Sequence, residues 1–86
     1  MFTADTTIKN KTGLHARPAS QLAKLCQDYE SSIYIVSGET QYDLKSIVSI
    51  MSMGLKHGTP IKVVAEGPDE NEAGKEVVTF IESLVD

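Results

Sequence analysis

Ser32-Ile33-Tyr34-Ile35-Val36-Ser37-Gly38-Glu39-Thr40-Gln41-Tyr42-Asp43 reads as two strands joined by a tight turn, and the remaining elements can be placed around it. Ser32 to Val36 is β-branched and aromatic, Ser37-Gly38 supplies the turn, and Thr40 to Asp43 returns as a short strand. The chain therefore contains a β-hairpin near its middle.

Working upstream, Phe2, Ala4, Thr6 and Ile8 alternate with polar or small residues, the period of a half-buried first strand that leads through Asn10 to Gly13. A helix is expected from about Ala16 to Gln27, with Ala19, Leu22, Ala23 and Cys26 on one face and Pro18 tolerated in its first turn. Downstream, Ser46 as N-cap, apolar Ile47, Val48, Ile50 and Met51 at helical spacing, and Gly54 as a stop favour a short helix over the β propensity of its branched residues. Thr59 to Glu66 reads as the last strand, with Ile61, Val63 and Ala65 on one face, and Gly67-Pro68 breaks it. Asp69 and Glu72 fit an Asx-type capping box opening a final helix whose apolar face is Ala73, Val77, Phe80, Ile81 and Leu84. Gly74 inside that helix costs about 1 kcal/mol relative to alanine. The order is βαββαβα, and one sheet covered on one side by helices is the economical way to bury these faces. No linker, repeat or low-complexity segment interrupts residues 1–86, so one domain is expected.

Composition narrows the function. A chain of 86 residues supports a modest core and leaves little room for a deep catalytic cleft. No apolar run is long enough to span a membrane and the opening residues are not signal-like, so a cytoplasmic protein without membrane insertion is expected. Cys26 has no partner cysteine and falls in the apolar pattern of its helix, which reads as core filling. His15 and His57 lie on separate segments without metal-ligand spacing, so neither metal nor cofactor is expected, and His57 reads as a surface histidine. The net charge of −4 argues against direct nucleic-acid binding, but its distribution is uneven. Thr6 to Gln27 contains no acidic residue and carries Lys9, Lys11, Arg17 and Lys24, whereas Glu66, Asp69, Glu70, Glu72, Glu76, Glu82 and Asp86 face Lys75 alone. A basic segment in an acidic protein could steer an acidic partner protein toward His15; an ordinary solvated charge pattern is the other reading.

Leu14-His15-Ala16-Arg17-Pro18 is the chemically suggestive stretch. A histidine just before a helix sits near free backbone N–H donors, and these, the positive end of the helix dipole and the Arg17 guanidinium could together hold a phosphoryl group on the imidazole. On these residues alone His15 is either that acceptor or a loop histidine that only caps the helix. Ser46 is likewise an ordinary N-cap on its own evidence. Ser20, Gln21 and Lys24 fall on the solvent side of their helix, while Ile47, Val48 and Met51 provide either an apolar patch beside Ser46 or plain core packing.

Two separated motifs, Gly13-Leu14-His15-Ala16-Arg17-Pro18-Ala19 and Leu44-Lys45-Ser46-Ile47-Val48-Ser49-Ile50-Met51-Ser52-Met53-Gly54, make the chain resemble the HPr family. These are the histidine-containing phosphocarriers of the phosphoenolpyruvate-dependent sugar phosphotransferase system, here of low-GC Gram-positive type. The resemblance runs along essentially the whole chain. It implies an α+β open-faced sandwich, a four-stranded antiparallel sheet covered on one face by three helices. It implies that His15 takes a phosphoryl group on Nδ1 from phosphorylated enzyme I and passes it to the IIA domains of sugar permeases, Arg17 stabilising the phosphate. This makes the chain a carrier rather than a free-standing enzyme. Ser46 would be the regulatory site of an ATP-dependent HPr kinase/phosphorylase, its phosphate repelling enzyme I and offering a contact to a CcpA-type regulator. Partner docking would use Ser20, Gln21, Lys24, Ile47, Val48 and Met51, and a monomer is expected. Ser49 stands where many relatives have glycine and Met53 where leucine is common; both leave the phosphoryl site untouched.

Overall fold

The computed structural model describes residues 1–9, 16–54 and 56–84. Its elements are β1 (Phe2–Thr7), α1 (Ala16–Gln27), β2 (Ser32–Ser37), β3 (Thr40–Asp43), α2 (Ile47–Ser52), β4 (Pro60–Glu66) and α3 (Glu70–Ser83). The lead-out from Asn10 to Gly13 and His15 itself fall outside the described residues.

The four strands form one antiparallel sheet in the order β1-β4-β2-β3, so the last strand sits between the first strand and the hairpin. Register sets which residues share a face, because opposed residues point the same way. Phe2, Ala65 and Ile33 form one row, and Ala4, Val63, Ile35 and Tyr42 the next. Both rows face the helices: a single buried cluster joins Ile33, Ile35, Ile61, Val63 and Ala65 to residues of α1, α2 and α3. The opposite face carries Thr3, Val64, Tyr34 and Asp43 in one row and Asp5, Lys62, Val36 and Gln41 in the other. Polar residues dominate it, and only Val64 is buried there, flanked by its cross-strand neighbours Thr3 and Tyr34. This is the expected α+β open-faced sandwich. The alternation from Phe2 continues through Ile8, which is buried and extends the ladder by exchanging bonds with Thr59 O and Gly58 N.

Three helices are held against the sheet by different means. α3 lies across β1, β4 and β2, α1 packs on α3 and α2, and α2 reaches β3. In α1, Ala19, Leu22, Ala23 and Cys26 are buried as the spacing predicts, and in α3 Ala73, Val77 and Ile81 are buried with Phe80 and Leu84 packed at the margin. Full burial of each large aliphatic side chain in this cluster contributes about 1.5–3 kcal/mol.

Two local expectations need correction. The hairpin turn is Gly38-Glu39 rather than Ser37-Gly38, since Ser37 still pairs with Thr40. Gly38 has φ of +63°, and a left-handed first turn residue matches the twist of the flanking strands. At α3, Asp69 is the N-cap residue by position, but its side chain makes no capping bond. Its carboxylate instead accepts from the backbone N–H of Glu30 and of Ser31 at 3.0 Å each and from Ser31 Oγ at 2.5 Å. Three converging donors from the α1–β2 connection outcompete a single helical N–H. The acid that bonds this connection is Glu70, whose Oε1 accepts from the Gly67 N–H at 3.2 Å while its own N–H donates to Gly67 O.

Candidate functional site

α1 begins at Ala16, the residue that follows His15 in sequence. N–H groups in the first turn of a helix have no intrahelical acceptor, and Pro18 occupies a position there where no donor is needed. Arg17 is exposed in that turn, while Pro18 and Ala19 behind it are buried. No acidic residue lies in the first turn to compete for the guanidinium or oppose an anion. The Arg17 end of α1 therefore combines the positive dipole end with a solvent-exposed cation.

The outer surface of α1 continues through Ser20, Gln21 and Lys24, all exposed as expected. On α2 the open question between core and surface is decided by burial. Ile50 is the one residue of the helix that is buried, whereas Ile47 is 44% exposed, Val48 79% and Met51 49%. Ile47 and Met51 lie one turn apart on the same side, with Val48 beside them. Among the described residues the only other large hydrophobic so exposed is Met1. α1 and α2 pack against each other.

Ser46 caps α2: its Oγ accepts from the Ser49 N–H at 3.2 Å and its carbonyl from Ile50 N at 3.0 Å. The residue before it, Lys45, fastens this cap to the far end of α1. Lys45 O accepts from Gln27 Nε2 and its Nζ donates to Tyr29 O, both at 2.7 Å, while its N–H donates to Asp43 Oδ1 at 2.9 Å. The cation also suits the negative end of the helix dipole. Arg17 and Ser46 thus sit toward opposite ends of α1: ten residue steps separate Arg17 from Gln27, about 15 Å of helix axis at 1.5 Å per residue.

Lys45 and Gln27 were not singled out by spacing, because their bonds join segments 18 residues apart. Cys26 is fully buried, and burial pushes its thiol up to about 12, which keeps it protonated and inert. His57 is exposed in the turn before β4. A depression of about 320 Å³ at the β2–β3 edge, bordered by Tyr34, Gln41 and Asp43, includes neither Arg17 nor Ser46. Among the described residues no three His, Cys, Asp or Glu side chains gather as a metal site, and no helix is long and apolar enough to cross a membrane.

Comparison with known proteins finds one family for both the sequence and the fold. The sequence pattern of the family described as "PTS HPr component phosphorylation site" matches residues 2–83. Phosphocarrier protein HPr of Mycoplasma capricolum is 48% identical over 66 residues, 77% of this chain and 74% of its own. The crystal structure of HPr-C-His from Thermoanaerobacter tengcongensis superposes with a TM-score of 0.91 at 43% identity, covering 96% of this chain and 93% of that one. Bacillus subtilis Crh, a catabolite-repression protein described as a dimer with a swapped domain, superposes with a TM-score of 0.79 at 28% identity, covering 100% and 99% of the two chains. With its strand order, its helix-end cation and both motifs in place, the chain belongs to the HPr family of phosphotransferase-system phosphocarriers.

Proposed function

We propose that His15 is the phosphoryl acceptor and donor, receiving the group from phosphorylated enzyme I and passing it to IIA domains of sugar permeases. The observation that carries this reading is the start of α1, where Arg17 is exposed at the positive end of the helix dipole with no carboxylate in the turn. A neutral imidazole attacks the phosphorus in line through Nδ1: the N–P bond forms as the bond to the donor breaks, and the charge developing on the phosphoryl oxygens meets the guanidinium and the helix end. Because Arg17 is solvent-exposed, the phosphate is held in high dielectric and weakly enough to leave for the next acceptor. The chain is a carrier working in the cytoplasm with no cofactor of its own, rather than a free-standing enzyme.

Docking of enzyme I and the IIA domains is assigned to Ser20, Gln21 and Lys24 of α1 with Ile47, Val48 and Met51 of α2. Flexible and aliphatic side chains suit a surface that must meet several partners in turn. Ser46 is the regulatory phosphorylation site of an HPr kinase/phosphorylase. A phosphate there lies about 15 Å of helix from Arg17, nearly two of the roughly 8 Å Debye lengths of physiological salt. It therefore acts by charging the rim of the apolar patch, repelling enzyme I and offering a contact to a CcpA-type regulator, rather than by altering His15. The working form is a monomer in which β1 pairs with its own β4. The swapped dimer of B. subtilis Crh makes size-exclusion chromatography with light scattering the check on that form.

Incubation with enzyme I, magnesium and labelled phosphoenolpyruvate tests the main reading. An acid-labile, base-stable label is expected on the native protein and none on His15→Ala; undiminished labelling of the variant would sink the assignment. With ATP and the kinase, an acid-stable phosphate lost in Ser46→Ala is expected, and absence of incorporation by an active kinase removes the regulatory site.

A further inference from the structure

Four sulfur atoms lie in this chain, in Met1, Cys26, Met51 and Met53, and the fold treats them very differently. Cys26 is fully buried and remains a thiol. Met53 is 9% exposed and belongs to the core cluster. Met1 is 68% exposed, but it precedes β1, at the sheet edge opposite β3, against which α2 packs. Met51 alone is both open to solvent, at 49%, and set among the exposed apolar side chains Ile47 and Val48.

We propose that Met51 is a redox-sensitive modification site at which peroxide oxidation to the sulfoxide weakens partner docking. The inference rests on the assignment of this patch as the docking surface. A thioether lone pair attacks one oxygen of hydrogen peroxide; the S–O bond forms as the O–O bond breaks, and the proton on the attacked oxygen passes to the departing hydroxide, which leaves as water. Sulfur loses two electrons and the peroxide gains them, giving one sulfoxide and one water. The product has a strong acceptor oxygen where a soft apolar sulfur stood. Pressed against an apolar partner surface, that oxygen loses its water without gaining a donor. Arg17 and the start of α1 are untouched, so the modification acts on encounter and not on transfer. Methionine sulfoxide reductases, which act on both epimers, reverse it.

Steady-state phosphorylation by enzyme I before and after hydrogen peroxide treatment, with oxidised positions mapped by mass spectrometry, tests the inference. Met51 and Met1 should convert well before Met53, the KM for the carrier should rise by at least about threefold at retained kcat, and treatment with both reductases should restore it. Met51→Leu, compared with its own untreated form, should show no rise. A KM unchanged after complete conversion of Met51, or a rise that persists in Met51→Leu, overturns the inference while leaving the phosphocarrier reading intact. Failure of enzyme I to phosphorylate the untreated protein overturns that reading and the inference with it.

Discussion

The α3 side of the molecule and the α1–α2 surface are built on opposite terms. Where α3 meets the sheet, contacts are closed in several ways: Asp69 grips Glu30 and Ser31, Gly67 lies against Ser31, Phe2 lies against Gly74, and Thr6 Oγ1 donates to Glu82 at 2.8 Å. On the outer side of α1 and α2, Lys45 and Gln27 tie the helices at one end, and Ile47, Val48 and Met51 are left uncovered. Solvated aliphatic side chains add little to folding, and clustered apolar exposure marks an interaction surface. The fold is secured on one side and leaves apolar side chains uncovered on the other. Substitutions on the first side should change stability, and substitutions on the second should change recognition.

Gly74→Ala tests that contrast most severely. A Cβ there would collide with the ring of Phe2, so tight packing overrides the helix preference for alanine. Overpacking of about 1–3 kcal/mol against a propensity gain of about 1 kcal/mol predicts a net loss of up to about 2 kcal/mol in urea unfolding. In a Phe2→Ala background the same change should become neutral or stabilising; equal losses in both backgrounds would break the account. Ser46→Ala removes the cap of α2 and should cost about 1 kcal/mol in the same assay, with labelling by enzyme I and phosphoenolpyruvate preserved.

Asp69 provides the pH test. The Ser31 hydroxyl, followed by the backbone N–H groups of Glu30 and Ser31, holds its carboxyl below the ordinary range. A carboxylate depressed in the folded state contributes stability that is complete above its unfolded value and is lost as the pH falls through the folded one. Stability should therefore decline below about pH 5, and Asp69→Asn should be less stable at neutral pH with a shallower decline between about pH 5 and pH 3. Parallel acid limbs for the two proteins would remove Asp69 as the cause. The smallest stability effect is expected at Val48, 79% exposed: Val48→Ser should stay within about 0.5 kcal/mol of native stability while raising the KM for enzyme I. A large stability loss there would make the patch part of the core and erase the contrast.

Strands and helices were legible because each buries one face and repeats with its own period, as in Phe2 to Ile8 and Ala19 to Cys26. The exposed polar line of Ser20, Gln21 and Lys24 followed from the same periodicity. The short α2 was harder, since in six residues Ile47, Val48, Ile50 and Met51 offer more apolar surface than one contact can bury. Choosing Ile50 for the core requires knowing where β3 and α1 lie. The role of Asp69 is hidden from the sequence for a related reason: an Asx residue before a helix looks local, while its partners arrive from residues 30 and 31. Gly74 looked like a local cost because nothing near it in sequence announces the Phe2 ring.

By itself the sequence determined the element order, the buried faces of α1, β4 and α3, and the pairing of a histidine-arginine motif with a second motif around Ser46, because periodicity and local motif chemistry are properties of consecutive residues. Tertiary structure alone decided the strand order β1-β4-β2-β3, the exposure of Ile47, Val48 and Met51, the capture of Asp69 by the α1–β2 connection, and the placing of Arg17 and Ser46 toward opposite ends of α1. Each of these depends on groups far apart in the chain competing for the same contact, and such competition is settled only when the whole core closes.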